Sequence, residues 1–280
     1  RTAQYQAKVD QVLGKMVVSR GLSWCPGCPH RASFYAVKNA VKRDGRNAVV
    51  TSDIGCYTMD AFPDGPQVTN VLHCMGGGLG EGCGFGQLKQ FGFEQPVISI
   101  CGDSTFWHAS LTPLVNAIYN KSNMVVIILD NSITAMTGFQ PHAGSGRTAT
   151  QEPTDTVSAE ELCRTLGCRV EVLDPFDSKS TTARLMELMK DDSGVKVLIL
   201  RRKCELLRMR QERKHPYKVW VDAEKCKGEK CGFCYRILQC PGVALDKASG
   251  KARIQEALCA ECGLCADLCP NKAIVKEERA

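Results

Sequence analysis

The chain has 280 residues, of which 44% are hydrophobic and 17 are cysteines, and its net charge is +6. This length allows one large domain with a small appendage, and the apolar fraction is sufficient for a buried core. The longest aliphatic stretch, Met124 to Leu129, is far shorter than the roughly 20 residues that cross a bilayer, and no signal peptide opens the chain, so we expect no membrane contact and a cytoplasmic location.

From about Gly21 to Arg210, short aliphatic runs alternate with longer amphipathic runs. This alternation predicts an α/β fold with a doubly wound, mostly parallel sheet. The predicted strands cover 48–51, 97–101, 124–129, 170–173 and 195–200, and the predicted helices cover 32–43, 111–119, 159–166 and 181–190. We expect an N-terminal extension over 1–20, a main domain over 21–210, a linker over 211–221 and a small cysteine-rich α+β domain over 222–280.

Three short polar turns follow predicted strands directly, at 52–56, 102–104 and 130–132. The carboxyl ends of strands in doubly wound sheets are where ligands bind, so these turns are candidates for one crevice. A glycine-dense segment, 75–86, lies between the first two turns. It indicates either a backbone cradle for a diphosphate, which we favour, or tight packing of a helix.

Two other segments allow two interpretations each. The loop over 141–153 has no periodicity and is either a surface excursion or a lid over a site. The basic residues between Arg201 and Lys218 indicate either a solvated connector or a docking surface for an acidic partner. Only one aromatic residue, Tyr217, is interleaved with these charges, so we expect no nucleic-acid binding.

The cysteines near the C-terminus have the spacing of cluster ligands. Cys259, Cys262 and Cys265 are separated by two residues each, and Cys269 follows after three more and precedes a proline. This is the run of a bacterial ferredoxin, in which one loop wraps three corners of a 4Fe-4S cluster. A looser copy lies upstream, and a zinc ribbon is the competing interpretation because paired thiolates also bind zinc. The upstream copy consists of Cys226, Cys231, Cys234 and Cys240.

A further Cys-x-x-Cys pair, Cys25 and Cys28, precedes the first predicted helix and could by itself be a redox dithiol or half of a zinc site. Together with the later segments SDIGCYT, GDSTFWHAS and LDNSITAMTG, the segment CPGCPHR resembles the 2-oxoacid:ferredoxin oxidoreductases, most closely those that act on indolepyruvate. The resemblance extends from Gly21 to Ile274. It departs from the family's thiamine-diphosphate motif at Ser104, where the family has glycine, and at Asp130, where it has asparagine.

The resemblance implies a set of cofactors and their ligands. Magnesium would be held by Asp103, Asn131 and the backbone carbonyl of Ile133, in line with the preference of this ion for oxygen. Thiamine diphosphate would contact Asp53, Ile54, Gly55, Cys56, Met75, Gly76, Gly102, Asp103, Ser104, Asn131 and Ile133.

The resemblance also implies three 4Fe-4S clusters, each with four cysteine ligands. We call these groups the proximal set (Cys25, Cys28, Cys56 and Cys204), the first ferredoxin set (Cys226, Cys231, Cys234 and Cys269) and the second ferredoxin set (Cys240, Cys259, Cys262 and Cys265).

The activity that the resemblance implies is coenzyme A-dependent oxidative decarboxylation of aryl-pyruvates such as indolepyruvate to acyl-CoA and carbon dioxide, with electrons passed to ferredoxin in an anaerobic cytoplasm. The catalytic residue stays unknown, because the activating glutamate of thiamine enzymes belongs to a pyrimidine-binding domain that this sequence does not contain. We therefore expect that domain upstream or on another subunit, and a second oxidoreductase subunit. The alternatives are an enzyme for pyruvate, 2-oxoglutarate or branched 2-oxoacids, and a non-catalytic electron-transfer subunit.

The remaining cysteines and four histidines carry no assigned chemistry. We interpret the cysteines as small core residues and the histidines as core or surface residues. The cysteines are Cys74, Cys83, Cys101, Cys163 and Cys168, and the histidines are His30, His73, His108 and His142.

Overall fold

The computed structural model describes residues 2–14 and 21–279. Its main domain contains a six-stranded parallel sheet with the strand order β2-β1-β3-β4-β6-β5. The chain moves outward from β1 to β2 and then returns to place β3 on the other side of β1. The sheet therefore has a topological switch point between β1 and β3. The strands are β1 Val49–Ser52, β2 Val71–Leu72, β3 Val97–Gly102, β4 Met124–Asp130, β5 Arg169–Leu173 and β6 Val195–Arg201.

Helices cover both faces of this sheet. They are α2 Pro29–Asp44, α3 Gly77–Gln87, α4 Asp103–Thr105, α5 Leu111–Tyr119, α6 Ala159–Thr165 and α7 Ser178–Lys190, preceded by α1 Thr2–Leu13 and followed by α8 Glu205–Glu212. Side chains alternate across β4: Val125 and Ile127 pack with Phe34 and Leu185 on the α2/α7 face, and Val126 packs on the opposite face. This period of two is expected for a strand that is buried on both sides.

Helix α3 approaches the sheet closely at two of its glycines. A Cβ atom on Gly78 would lie 2.6 Å from the backbone carbon and oxygen of Ser52, and one on Gly82 would lie 2.7 Å from Cε of Met124. The packing interpretation of the glycine-dense segment therefore holds for these two residues. The cradle interpretation stays a prediction for the other glycines of the segment.

Among the described residues, the small domain consists of two antiparallel ribbons, one short α-helix, a 3-10 helix over Gly228–Lys230 and a π-helix over Phe233–Ile237, around its own core. One ribbon pairs the first strand of the domain with its last, so the domain closes on itself. The elements are β7 Tyr217–Val221, β8 Val243–Asp246, β9 Lys251–Ile254, α9 Leu264–Leu268 and β10 Ile274–Glu278.

The elements of the structure agree with most of those predicted from the sequence. The five predicted strands and four predicted helices occur, with ends that move by up to three residues. The predicted linker over 211–221 is shorter, because α8 continues to Glu212 and β7 begins at Tyr217, where backbone pairing with β10 orders it. Of the predicted N-terminal extension, residues 2–13 form a helix with no buried residue, and 15–20 lie outside the described residues.

The core assignment of the unassigned cysteines is wrong at one position. Cys83, Cys101, Cys163 and Cys168 are buried, as predicted, whereas Cys74 is exposed. Cys74 lies in the loop after β2, the short edge strand, which no further strand covers. Across the described residues, no helix is both long enough and apolar enough to span a membrane.

Candidate functional site

A pocket of about 300 Å³ opens at the switch point of the sheet. It is formed by the turns that follow β1, β3 and β4, because the carboxyl ends of parallel strands meet at one edge. We call it the switch-point pocket. Of the predicted cofactor-binding residues, Ile54, Gly55, Cys56, Met75, Gly102, Asp103, Ser104, Asn131 and Ile133 line it, and Asp53 and Gly76 do not.

Asp103 is the buried carboxylate of this pocket, with 5% of its surface exposed. Its Oδ1 accepts a hydrogen bond from the backbone N–H of Ser104 (2.8 Å), and its Oδ2 accepts one from the N–H of Asn131 (3.0 Å). Burial raises the pKa of this carboxyl, against the opposing influence of His142. Within the described part of the chain, no lysine or arginine lies within salt-bridge distance of Asp103. A buried carboxylate of this kind fits a cation, which would replace the lost hydration.

Asn131 lies next to Asp103 across the edge of the sheet and is held from two sides. Its Oδ1 accepts the N–H of Ile133 at 3.1 Å, and its Nδ2 lies 3.2 Å from Nε2 of His30. Burial lowers the pKa of His30 to about 4, so its ring is neutral and Nε2 can accept from the amide. The amide oxygen is thereby held toward Ile133, and a hard cation bound here would use it as an oxygen donor.

His142 also lies next to the carboxylate of Asp103. Its side chain is buried, and its Nε2 lies 3.2 Å from Oδ2 of the carboxylate, although the angles do not make a hydrogen bond in this conformation. Its Nδ1 accepts the N–H of Gly144 at 3.1 Å. A neutral imidazole that accepts at Nδ1 carries its proton on Nε2, so a small rotation would complete a donor contact to Asp103. The loop that was predicted to be either an excursion or a lid therefore brings one residue into the site.

Ser104, the residue that departs from the family's glycine, connects two turns of the pocket. Its Oγ accepts a hydrogen bond of 2.8 Å from the hydroxyl of Thr134, in the turn after β4. Ser132 has a positive φ of 66°, which turns the chain between Asn131 and Ile133. The departure from the motif thus adds a connection between the two loops that carry the candidate magnesium ligands.

Asp53 supports the wall of the pocket from behind. It is fully buried, accepts a hydrogen bond from Tyr57 Oη, and accepts the N–H of Gly76 at 3.0 Å. Burial raises its pKa to about 6. Tyr57 also contacts the hydroxyl of Thr105 (3.0 Å), so the segments after β1 and β3 are joined behind the pocket.

The proximal set is gathered beside the switch-point pocket, which Cys56 also lines. The indole N–H of Trp24 donates to the carbonyl oxygen of Cys56 at 2.8 Å, which holds the segment before Cys25 against it. The N–H of Cys204 donates to the carbonyl oxygen of Asn131 at 2.9 Å. Burial raises the pKa of Cys56 to about 11, and charges on Cys204 and Cys25 raise it further.

The first ferredoxin set lines one small cavity in the small domain, formed between the segment after β7 and the one before β10. Burial raises the pKa of Cys234 to about 11, and the charges that raise it further lie on Cys226, Cys269 and Cys231, the other three members. The four cysteines that the resemblance groups together therefore also lie close together in the structure.

The second ferredoxin set behaves in the same way. Burial raises the pKa of Cys265 well above its ordinary value. Charges on the other members of the set, Cys240, Cys262 and Cys259, raise this pKa further, and so does the charge on Cys234, which belongs to the first ferredoxin set. The two sets are therefore neighbours within the small domain.

The described cysteines do not form a site suited to a single metal ion. In residues 2–14 and 21–279, no three His, Cys, Asp or Glu side chains are arranged to share a single metal ion. A mononuclear zinc site would require thiolates around a single centre at about 2.3 Å, whereas a cubane spreads its thiolates over four irons.

Sequence reasoning did not find Tyr57, His30, His108, Thr134 and Met136, which also line the pocket, or His142, which contacts Asp103. His30 was visible only as a neighbour of the Cys-x-x-Cys pair. His142 stands in an aperiodic loop with no residue pattern that indicates its contact.

Two family profiles match the chain. Residues 53–199 match "Thiamine pyrophosphate enzyme, C-terminal TPP binding domain", and residues 252–275 match "4Fe-4S binding domain". A thiamine-diphosphate-binding domain and a 4Fe-4S binding domain are therefore both present. The first match includes the turns after β1, β3 and β4, which form the switch-point pocket.

Curated relatives match most of this chain. "Indolepyruvate oxidoreductase subunit IorA" of Pyrococcus horikoshii is 38% identical over 277 residues, which is 94% of this chain and 41% of the relative. The protein of that name from Archaeoglobus fulgidus is 38% identical over 255 residues, 89% of this chain and 39% of the relative. The chain thus spans about two fifths of these relatives' length.

A solved structure, "2-oxoglutarate:ferredoxin oxidoreductase from Magnetococcus marinus with 2-oxoglutarate, coenzyme A and succinyl-CoA bound", has a TM-score of 0.57 at 19% identity. The alignment covers 67% of this chain and 66% of that one. At this identity the likeness supports the fold.

Proposed function

The chain belongs to the thiamine pyrophosphate enzymes through their C-terminal TPP-binding domain, and from this premise we propose that it is the cofactor-binding and electron-transferring part of a 2-oxoacid:ferredoxin oxidoreductase. The observation that carries the proposal is the position of Cys56, which lines the switch-point pocket and lies among the other thiols of the proximal set. A cofactor in the pocket would therefore lie next to an electron acceptor. This arrangement suits oxidation of a substrate while it is held on the cofactor.

Thiamine diphosphate with magnesium would supply the carbanion chemistry that releases carbon dioxide, and iron-sulfur clusters would take electrons one at a time. Asp103, Asn131 and the carbonyl of Ile133 would hold the magnesium ion, with His142 and His30 fixing the orientation of the two side chains. The Oδ1 and Oδ2 atoms of Asp103 both accept backbone N–H groups, so the carboxylate is set in place before a cation arrives.

Three 4Fe-4S clusters would be held by the proximal set and the two ferredoxin sets. The loop of Cys25 and Cys28 packs against the segment of the second ferredoxin set, because a Cβ on Gly27 would lie 3.0 Å from Cβ of Ala260. We infer that electrons pass from the proximal cluster to the second ferredoxin set and then to the first, from which ferredoxin would take them.

The walls of the pocket suit an aryl-pyruvate. Ile54, Met75, Met136 and Tyr57 line it, and its described lining contains no lysine or arginine to pair with a second carboxylate such as that of 2-oxoglutarate. Ile54, Met75 and Met136 are 39%, 46% and 46% exposed. An apolar rim of this kind is suited to a covering domain, and we propose that the pyrimidine-binding domain or subunit lies on it and that a second oxidoreductase subunit completes the enzyme.

The test is anaerobic assembly of the chain with the remainder of its enzyme, followed by ferredoxin reduction with indolepyruvate, pyruvate or 2-oxoglutarate in the presence of coenzyme A. We expect about twelve irons per chain, as three cubanes require, and faster reduction with indolepyruvate than with the other two acids. Asp103→Ala should abolish the reduction and leave the iron content unchanged. An assembly with full iron content that neither binds thiamine diphosphate nor reduces ferredoxin would refute the catalytic proposal and favour a non-catalytic electron-transfer subunit.

A further inference from the structure

One buried arginine joins the two cysteine-rich parts of the molecule. Arg31, in the first turn of α2, is 2% exposed. Its Nη1 donates to the carbonyl oxygens of Leu238 (2.8 Å) and Gln239, and its Nη2 donates to the carbonyl oxygen of Trp24. The planar fork of a guanidinium is suited to several acceptors at fixed angles. A single side chain from the main domain thus holds the backbone of the small domain.

These acceptors lie beside two different cysteine sets. Trp24 precedes Cys25 of the proximal set, whose own carbonyl lies 3.4 Å from Nη2, and Gln239 precedes Cys240 of the second ferredoxin set. The guanidinium of Arg31 and its hydrogen bonds thus connect the segment of Cys25 to the segment of Cys240. The cation is therefore located between the two proposed clusters.

The charge of Arg31 has no carboxylate partner within salt-bridge distance in the described part of the chain. Burial lowers the pKa of Arg31, and the charges that oppose this effect lie on Cys240, Cys28, Cys262 and Cys25. An arginine keeps its proton in proteins, and a buried cation without a counter-ion is costly. With the proposed clusters bound, the thiolates of the proximal and the second ferredoxin set would supply the negative charge that compensates this cation.

A cluster with four thiolates carries negative charge that increases by one on reduction, and its potential depends on nearby charges, hydrogen bonds and exposure. A permanent cation in a water-excluded position stabilises the reduced state more than the oxidised state. We propose that Arg31 is a positioning residue that raises the reduction potentials of the proximal cluster and of the second ferredoxin cluster together. This inference rests on the proposed function, because it requires both clusters.

The first ferredoxin set provides an internal reference. None of its members carries or directly adjoins a carbonyl that accepts from Arg31, and none is among the four thiols whose charges act most strongly on it. Removing the cation should therefore change the potential of that cluster least. A general loosening of the small domain would instead affect all clusters of the molecule.

The experiment is an EPR-monitored redox titration of the anaerobically purified, complete enzyme and its variants, with signals assigned through one Cys→Ser substitution in each set. In Arg31→Gln we expect the ratio of reduced to oxidised cluster at a fixed potential to fall at least tenfold for the proximal and second ferredoxin clusters. For a one-electron couple this corresponds to about 59 mV. Arg31→Lys, which keeps the charge without the fork, should retain most of both potentials.

Two further variants complete the design. Arg236→Gln removes an exposed guanidinium from the small domain, whose Nη2 reaches the carbonyl of Glu229, and should change neither potential because solvent screens its charge. Arg31→Met fills the same space without charge and replaces Arg31→Gln if that variant does not assemble.

The outcomes separate this proposal from the function on which it rests. Wild-type enzyme without a proximal-cluster signal would overturn the cluster assignment and this inference with it. Wild-type enzyme with all three signals, but equal potentials in Arg31→Gln, would overturn this inference alone. Equal potential shifts in Arg31→Lys and in the neutral variants would also overturn it, because packing and not charge would then be the cause.

Discussion

The packing of α3 on β1 makes Gly78 and Gly80 a matched pair for substitution by alanine. Both residues lie in the same helix, but a Cβ on Gly78 would lie 2.6 Å from the backbone of Ser52, whereas one on Gly80 would meet nothing within 4 Å. The backbone of Ser52 cannot yield as a flexible side chain can, and it precedes Asp53 in the wall of the switch-point pocket. Gly78→Ala must therefore move the helix or the strand.

The expected magnitudes follow from two effects. Alanine in a helix interior is about 0.5–1 kcal/mol more stable than glycine, so Gly80→Ala should raise the free energy of unfolding by that amount. Gly78→Ala has the same gain, but overpacking costs about 1–3 kcal/mol. Because the gain is common to both variants, the difference between their free energies of unfolding measures the overpacking and should be about 1–3 kcal/mol.

Urea and thermal unfolding under anaerobic conditions would measure this difference. We expect the midpoint temperature of Gly78→Ala to lie roughly 2–12 °C below that of Gly80→Ala, given about 2–4 °C per kcal/mol for a domain of this size. Gly78→Ala should also bind magnesium and thiamine diphosphate more weakly, because the wall of the pocket moves with Ser52. Equal stabilities of the two variants, within about 0.5 kcal/mol, would refute the close approach of helix and strand.

Three other predictions concern single residues. His142→Ala should weaken magnesium-dependent thiamine diphosphate binding about 10–100-fold, as is usual when the partner of a metal ligand is lost, whereas His142→Gln should retain most of the affinity. An unchanged affinity of His142→Ala, measured by calorimetry, would contradict the contact with Asp103. Cys234→Ser should remove about four irons, whereas Cys163→Ser, at another buried cysteine outside the three sets, should remove none. Equal iron contents in both variants would refute the set. Burial raises the pKa of Asp53 from 3.8 to about 6, so ionisation of this carboxyl destabilises the folded state. The free energy of unfolding is therefore highest below about pH 4 and falls as the pH rises to about 6. At about 1.4 kcal/mol for each pH unit, Asp53→Asn should gain up to roughly 3 kcal/mol over wild type at pH 8 and nothing at pH 4, by urea unfolding; an equal gain at both pH values would show that charge is not the cause.

The sequence by itself determined the features that are local in the chain. The strands are contiguous aliphatic runs, the residues of the pocket are the turns that end those runs, and the ferredoxin ligands follow one another at fixed spacing because one loop must wrap a cluster. The segment that carries Gly102, Asp103 and Ser104 could therefore be predicted together with its place at the edge of the sheet. The grouping of the cysteines into three sets came from the resemblance, and the structure brings the members of each set together.

The tertiary structure decided the contacts between residues that are far apart in sequence. His30 reaches Asn131 across 101 positions, and Arg31 reaches Leu238 across 207. The sequence around Asn131 or Leu238 does not indicate either contact, because a side chain that binds a backbone carbonyl or an amide requires no particular residue pattern around its target. Glycines four residues apart share one face of a helix by its geometry alone. Which of these faces packs on the sheet and which faces solvent depended on the orientation of α3 in the folded protein.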